Sequence, residues 1–227
     1  MRIPATGLAG LSPRRRRIIC EILPAVVPSS YGSARFSEID ANYKPGAGYT
    51  TCGGLPTLVA RRLGVSAAQR KEGMGGYGLV GMRNGAIRRG AWVHAGSCPG
   101  NGAVTSAPLG TRPQPGDIYI LCSGGGHDFG CCTIQREAET DPFPKHLGAK
   151  VEHIGVIVDT DCNALWITAD AGQGGNEQYA DYMPRQYDDT TGYMTGEQSR
   201  EGKPMRRLCG WVDVDRYPFE DGFNGQA

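Results

Sequence analysis

The sequence has no apolar run approaching the roughly 18 residues a membrane-spanning helix needs, and no charge imbalance, with Lys and Arg totalling 24 against 23 for Asp and Glu. The first absence leads us to expect no membrane partner. The second gives no electrostatic footprint for nucleic acid or an anionic surface. No internal repeat and no low-complexity linker divides the chain, so its 227 residues are read as a single domain, 1–227. Aromatic residues are few, at 8%. What is abundant is glycine, 35 residues, together with 15 prolines. That composition points to many turns around a modest core rather than to a helical bundle.

The eight cysteines (Cys20, Cys52, Cys98, Cys122, Cys131, Cys132, Cys162 and Cys209) lack regular spacing, so no disulfide framework follows from them. Cys122, His127, Cys131, Cys132 and His146 share one glycine-rich stretch. They lack the two short-spaced ligand pairs of a zinc site, and vicinal cysteines are poor joint ligands, so neither metal nor cofactor is expected. At the N-terminus, "SPRRRRIICEILPAVVPSSYGSA" has the basic run and apolar patch with which a secretory signal begins, but Glu21, Pro24 and Pro28 interrupt the patch. A short helix near residues 15–26 is expected instead, docking on the core, with Arg14 to Arg17 as its solvated start. It would belong to a helical extension over residues 1–46.

The stretch "TCGGLPTLVARRLG" carries the first chemical signal. Leu55, Leu58, Val59 and Leu63 recur at the spacing of one buried helical face, and Gly64 supplies a stop. The pattern predicts a helix from about Gly54 to Leu63 with Pro56 in its first turn, because proline lacks the N–H that a helix interior needs. Cys52 then lies at the helix N-terminus, where unpaired N–H groups and the positive end of the dipole favour a thiolate.

A second helix is expected over residues 67–72, and a strand at 91–95. In "RPQPGDIYIL", Pro115 and Gly116 preset a turn before a strand at 118–121. After an insertion at residues 122–150, "VEHIGVIVD" and "ALWITADAGQGG" read as two strands of a hairpin, joined by "TDCN". "RRLCGWVDVDRYP" supplies a last strand. Helices followed by strands make an α+β arrangement with an antiparallel sheet.

Alternation puts His153 on one face with Val151, Gly155 and Ile157. If residues 160–163 form a four-residue loop, Asp159 faces Ala164 and His153 falls opposite Asp170, which can orient the imidazole. Gln173, in the following turn, is the reserve for that role, and His94 and His127 are rival bases. Cysteine at a helix start, histidine on a strand and a carboxylate on the next form the nucleophile, base and orienter of a cysteine hydrolase.

The order "TCGGL", "PQPGDIYIL", "VEHIGVIVD" and then a strand ending in a polar residue resembles the NlpC/P60 cysteine peptidases and their papain-like relatives, over roughly residues 49–170. The resemblance implies an α+β papain-like fold, N-terminal helices with the nucleophile helix packed on an antiparallel β-sheet. It makes Cys52 the nucleophile, His153 the base and Asp170 the third polar residue. It also implies a substrate-lining tyrosine, Tyr49 or Tyr43, and Thr51 and Gln173 are further substrate-binding candidates. Thr51-Cys52-Gly53-Gly54 departs from the usual Asp-Cys-Ser-Gly, and the strand offers Thr168 or Asp170 where the family often has histidine.

By the same resemblance, the expected activity is hydrolysis of amide bonds in peptidoglycan stem peptides. The protein would be made in the cytoplasm and exported to the periplasm or cell wall of a target bacterium, as a type VI secretion effector or a lysin. An effector would have an inhibitory immunity protein as partner. The alternative is a papain-like cysteine toxin, whether protease, deamidase or acyltransferase, acting on a protein.

Overall fold

The computed structural model describes residues 8–30, 51–76, 78–96, 105–123, 150–160, 165–172, 179–196 and 206–223. In chain order the elements are helix α1 (Pro13–Arg17), prolonged by a π-helical turn (Ile18–Ile22), strand β1 (Ser29–Ser30), and helices α2 (Thr51–Arg62), α3 (Ala67–Lys71) and α4 (Leu79–Arg88). Strands follow: β2 (Trp92–Ala95), β3 (Thr105–Ala107), β4 (Ile118–Ser123), β5 (Lys150–Asp159), β6 (Leu165–Ala171), β7 (Tyr179–Tyr187), β8 (Tyr193–Gly196) and β9 (Arg206–Val212).

Six of these strands close on themselves. Antiparallel pairing runs from β4 to β5, β6, β7, β8 and β9, and β9 pairs back with β4. The result is a closed six-stranded barrel, which leaves no open edge along the ring. Strand β2 adds to β9 antiparallel, β3 adds to β2 in parallel, and β1 pairs with β7. This corrects the expected α+β papain-like fold with the nucleophile helix packed on an antiparallel sheet: the chain forms a closed six-stranded antiparallel barrel with few helices.

The closing strands were not legible in the sequence. Strand β7 carries Pro184 and no clean alternation, and β8 is only four residues long. Pro184 is tolerated because it falls between the stretch of β7 paired with β1 and the stretch paired with β8. On its other side it lies opposite Ile167 of β6, and a missing N–H costs least where it faces such a gap.

Period-two alternation divides the barrel side chains between two apolar layers. Tyr119, Leu121, Ile157, Trp166, Tyr187, Met194 and Leu208, drawn from all six barrel strands, fill the interior. Ile118, Ile120, Ile154, Val156, Ala169 and Ala171 face outward and pack with Leu55 and Val59 of α2 and with Ile18 and Ile22. Helix α2 lies against β5 and β6. It starts at Thr51, three residues earlier than its pattern predicts, and Pro56 therefore falls in its second turn. Pro56 has no N–H to give the carbonyl of Cys52, four residues back. Helix α4, between the expected helix and strand, was not anticipated from the sequence. Its Gly81 and Gly85 lie on one face, where a side chain on either Gly73 or Gly85 would collide with backbone of the facing segment.

The N-terminal segment docks as expected, but its arginines are not solvated as a group. Arg14 and Arg15 are buried. Arg14 makes a two-pronged ion pair with Asp221 at 2.7 Å and donates to the carbonyls of Val214 and Tyr217. Arg15 reaches Asp117, Asp213 and Asp215 at 2.6–2.9 Å. A run of four arginines reads as a surface until the acidic C-terminal turn is placed beside it. Among the described residues no helix is long and apolar enough to cross a membrane.

Candidate functional site

Strands β5 and β6 carry the predicted base and orienter, and they meet. His153 Nε2 lies 2.6 Å from Asp170 Oδ1, with both side chains buried. The hairpin register differs from the expected one: Val156 pairs with Ala169 and Ile157 with Thr168, so Asp170 falls opposite Gly155 rather than His153. The slip is two residues, and a two-residue slip preserves the face on which each side chain points. The His–Asp contact is therefore diagonal, and it depends on Gly155. A β-carbon there would overlap Asp170 Oδ1 and lie 2.8 Å from the Tyr119 ring and 3.0 Å from the Ala169 carbonyl.

The pair sits in a network inside the barrel. On β4, Tyr119 pairs with Gly155, and its hydroxyl donates to Asp170 Oδ1 at 2.5 Å. Thr168 donates to Asp170 Oδ2. Arg185, on β7, donates to the same oxygen from Nη2 at 3.0 Å and from Nε at 3.2 Å. Burial alone would raise the Asp170 carboxyl; the Arg185 guanidinium, His153 and the hydrogen bonds outweigh it and hold the group well below the usual carboxylate range. Asp170 is thus an ionised acceptor, and His153 Nε2 is the donor to it. That tautomer leaves Nδ1 with the lone pair, the form a general base requires.

Burial pushes the His153 imidazole below its ordinary value of 6.5, against the opposing pull of Asp170. Below pH about 6.5 the unfolded chain takes up a proton there that the folded chain resists. The stability contributed by neutral His153 is therefore present above that pH and lost as pH falls below it. Thermal midpoints measured from pH 7 to pH 5 should decline less steeply for His153→Gln than for the unaltered protein. The comparison isolates His153, because His94, lowered by burial, and Asp117, pushed up to about 7 by burial, titrate in both. Equal slopes would show that the imidazole is already charged in the fold.

Cys52 is a buried cysteine outside any disulfide, in the first turn of α2, and it belongs to the outward layer with Ile154, Val156 and Ala169. The predicted base and orienter come together inside the barrel, while the predicted nucleophile belongs to the helix packed on the outer face of the same two strands. Of the predicted substrate-binding residues, Thr51 opens α2, whereas Tyr49 and Gln173 lie outside the described residues, as does Tyr43. The rival base His94 is buried on β2, its Nδ1 3.3 Å from the Gly96 carbonyl. It stands three strands from β5, beyond β4 and β9. Of the candidate zinc ligands, Cys122 is disulfide-bonded to Cys209, joining β4 to β9, and His127, Cys131, Cys132 and His146 lie outside the described residues.

Two members of the network were missed. Tyr119 had a signal, since it shares a face of β4 with Leu121, which pairs with His153. Arg185 had none, because β7 itself was not recognised as a strand. Compared with models of protein families, with curated proteins and with solved structures, the chain gives no significant match.

Proposed function

We propose that the protein is a cysteine hydrolase acting on amide bonds. Cys52 is the nucleophile, His153 the base and Asp170 the residue that orients it. The observation that carries this reading is the stacking of α2 on β5 and β6, which lays the helix bearing Cys52 over the two strands that bear the buried His153–Asp170 pair. In the reaction the Cys52 thiol gives up its proton, with His153 as the proposed acceptor, and the sulfur attacks the amide carbonyl. A backbone N–H in the first turn of α2 faces the developing oxyanion. The tetrahedral intermediate collapses with its C–N bond broken, and the amine leaves with the proton from His153. Water then cleaves the thioester, releasing the carboxylate and restoring the thiol.

The motif order that resembles the NlpC/P60 peptidases supports peptidoglycan stem peptides as the substrate class. The Cys122–Cys209 bridge supports an oxidising place of action, such as a periplasm or cell wall. The test is digestion of purified Gram-negative sacculi by the protein and by Cys52→Ala, with released muropeptides read by mass spectrometry. The expected result is stem-peptide fragments from the first and none from the second. Release by Cys52→Ala at an undiminished rate would remove the cysteine mechanism. No release by the unaltered protein, with Cys52 still rapidly alkylated, would remove peptidoglycan and turn the search to protein targets.

A further inference from the structure

Inside the barrel, the Asp170 carboxylate has two unlike neighbours. Oδ1 faces the His153 imidazole and the Tyr119 hydroxyl; Oδ2 faces Thr168 and the Arg185 guanidinium. Arg185 is buried, and its own position is set at three points: Nε donates to Thr168 Oγ1 at 3.0 Å as well as to Asp170, Nη2 reaches Asp170, and the guanidinium carbon lies 5.9 Å from the centre of the Tyr119 ring. Nη2 is also 3.4 Å from His153 Nε2. Donor faces donor across that gap, so the contact is an electrostatic one between a fixed cation and the ring.

We propose that Arg185 is a positioning residue for the His153–Asp170 pair: its guanidinium fixes the carboxylate so that Oδ1 is presented to His153 Nε2, and its charge satisfies Asp170 so that the imidazole stays neutral. This rests on the assignment of Cys52 and His153 as nucleophile and base. The physical reason is charge balance in a buried site. A buried carboxylate with histidine as its only ionic neighbour draws a proton onto that histidine, and an imidazolium cannot accept one from a thiol. With Arg185 in place the carboxylate is already balanced, and charging the ring would leave a net positive charge away from water.

The other charged or titratable groups around His153 work within that balance. Arg206 on β9 opposes an imidazolium, the Tyr119 hydroxyl on β4 stays protonated because burial and Asp170 both raise it, and Asp181 on β7, paired opposite Asp170, is at the exposed rim. A lysine at position 185 would keep the charge, but it lacks the planar fork that reaches Thr168 and Asp170 together.

The experiment compares the full chain with Arg185→Met and Arg185→Lys. The His153 imidazole is titrated by NMR, its signal identified by its loss in His153→Gln, and Cys52 alkylation by iodoacetamide is followed over the same pH range. In Arg185→Met the His153 midpoint should rise by about one pH unit or more. In Arg185→Lys the midpoint should stay near that of the unaltered protein while Cys52 alkylation slows several-fold. An unmoved midpoint in Arg185→Met overturns the proposal. If that variant does not fold, Arg185→Lys decides alone: an alkylation rate and pH profile identical to the unaltered protein make the fork dispensable and overturn the positioning role. Failure of the underlying reading looks different. Cys52 would then alkylate no faster than the exposed Cys20 in the unaltered protein, while the His153 titrations would still report on Arg185.

Discussion

Gly155→Ala is expected to cost the fold about 3 kcal/mol or more, the upper end of what overpacking does, and, on the proposed mechanism, to slow alkylation of Cys52. The single added carbon would overlap the Asp170 carboxylate and press on the Tyr119 ring and the Ala169 carbonyl. None of the three can yield freely. Ala169 is in the β5–β6 ladder, the Tyr119 ring is fully buried, and Asp170 is held by four side chains. Moving Asp170 breaks its bond to His153 and leaves a buried ion short of donors, which adds to the steric cost. Urea unfolding and iodoacetamide kinetics check both halves. A stable, fully reactive Gly155→Ala protein would mean that Asp170 does not lie against β5 in this register, and the orienting role would go with it.

Arg15→Met should cost about 3–5 kcal/mol, the effect of removing one partner from a buried ionic cluster. Arg15 is the cation shared by Asp117, Asp213 and Asp215, and it also donates to the Pro115 carbonyl at 3.0 Å. Asp117 bears most of the loss, because its side chain is 2% exposed whereas those of Asp213 and Asp215 are 21% and 16% exposed. It sits in the turn that begins β4, where it also accepts from the backbone N–H groups of Gln114 and Val214. The N-terminal helix, the start of the barrel and the C-terminal turn are thus tied through one side chain. Adding Asp117→Asn to Arg15→Met should recover part of the loss in urea unfolding, since it replaces a buried carboxyl that has lost its cation with a neutral side chain. A single variant within about 0.5 kcal/mol of the unaltered protein would place the arginine run on the surface after all.

The parts of the fold legible in the sequence are those with local causes. The apolar spacing of Leu55, Leu58, Val59 and Leu63 marked the buried face of α2, and the turn residues before Ile118 marked the start of β4. In the site, the shared face of His153 and Asp170 was legible although the register was not. Sidedness depends on parity alone, whereas the pairing depends on a hairpin whose register shifts between Ile157 and Asp159. The α+β expectation failed for a reason of the opposite kind. Helices followed by strands describe the order of elements and not whether the last strand returns to the first.

By itself the sequence determined the placement of Cys52 at a helix start, the strands that carry His153 and Asp170, and the face those two side chains share. These follow from propensity and periodicity, which act over a few residues. Only the tertiary structure decided that the barrel closes through β7 and β8, that Arg185 balances Asp170, and that Arg14 and Arg15 are interior. Each is a contact between segments far apart in the chain, and the energy that selects it comes from burying charges and strand edges together, which no local pattern encodes.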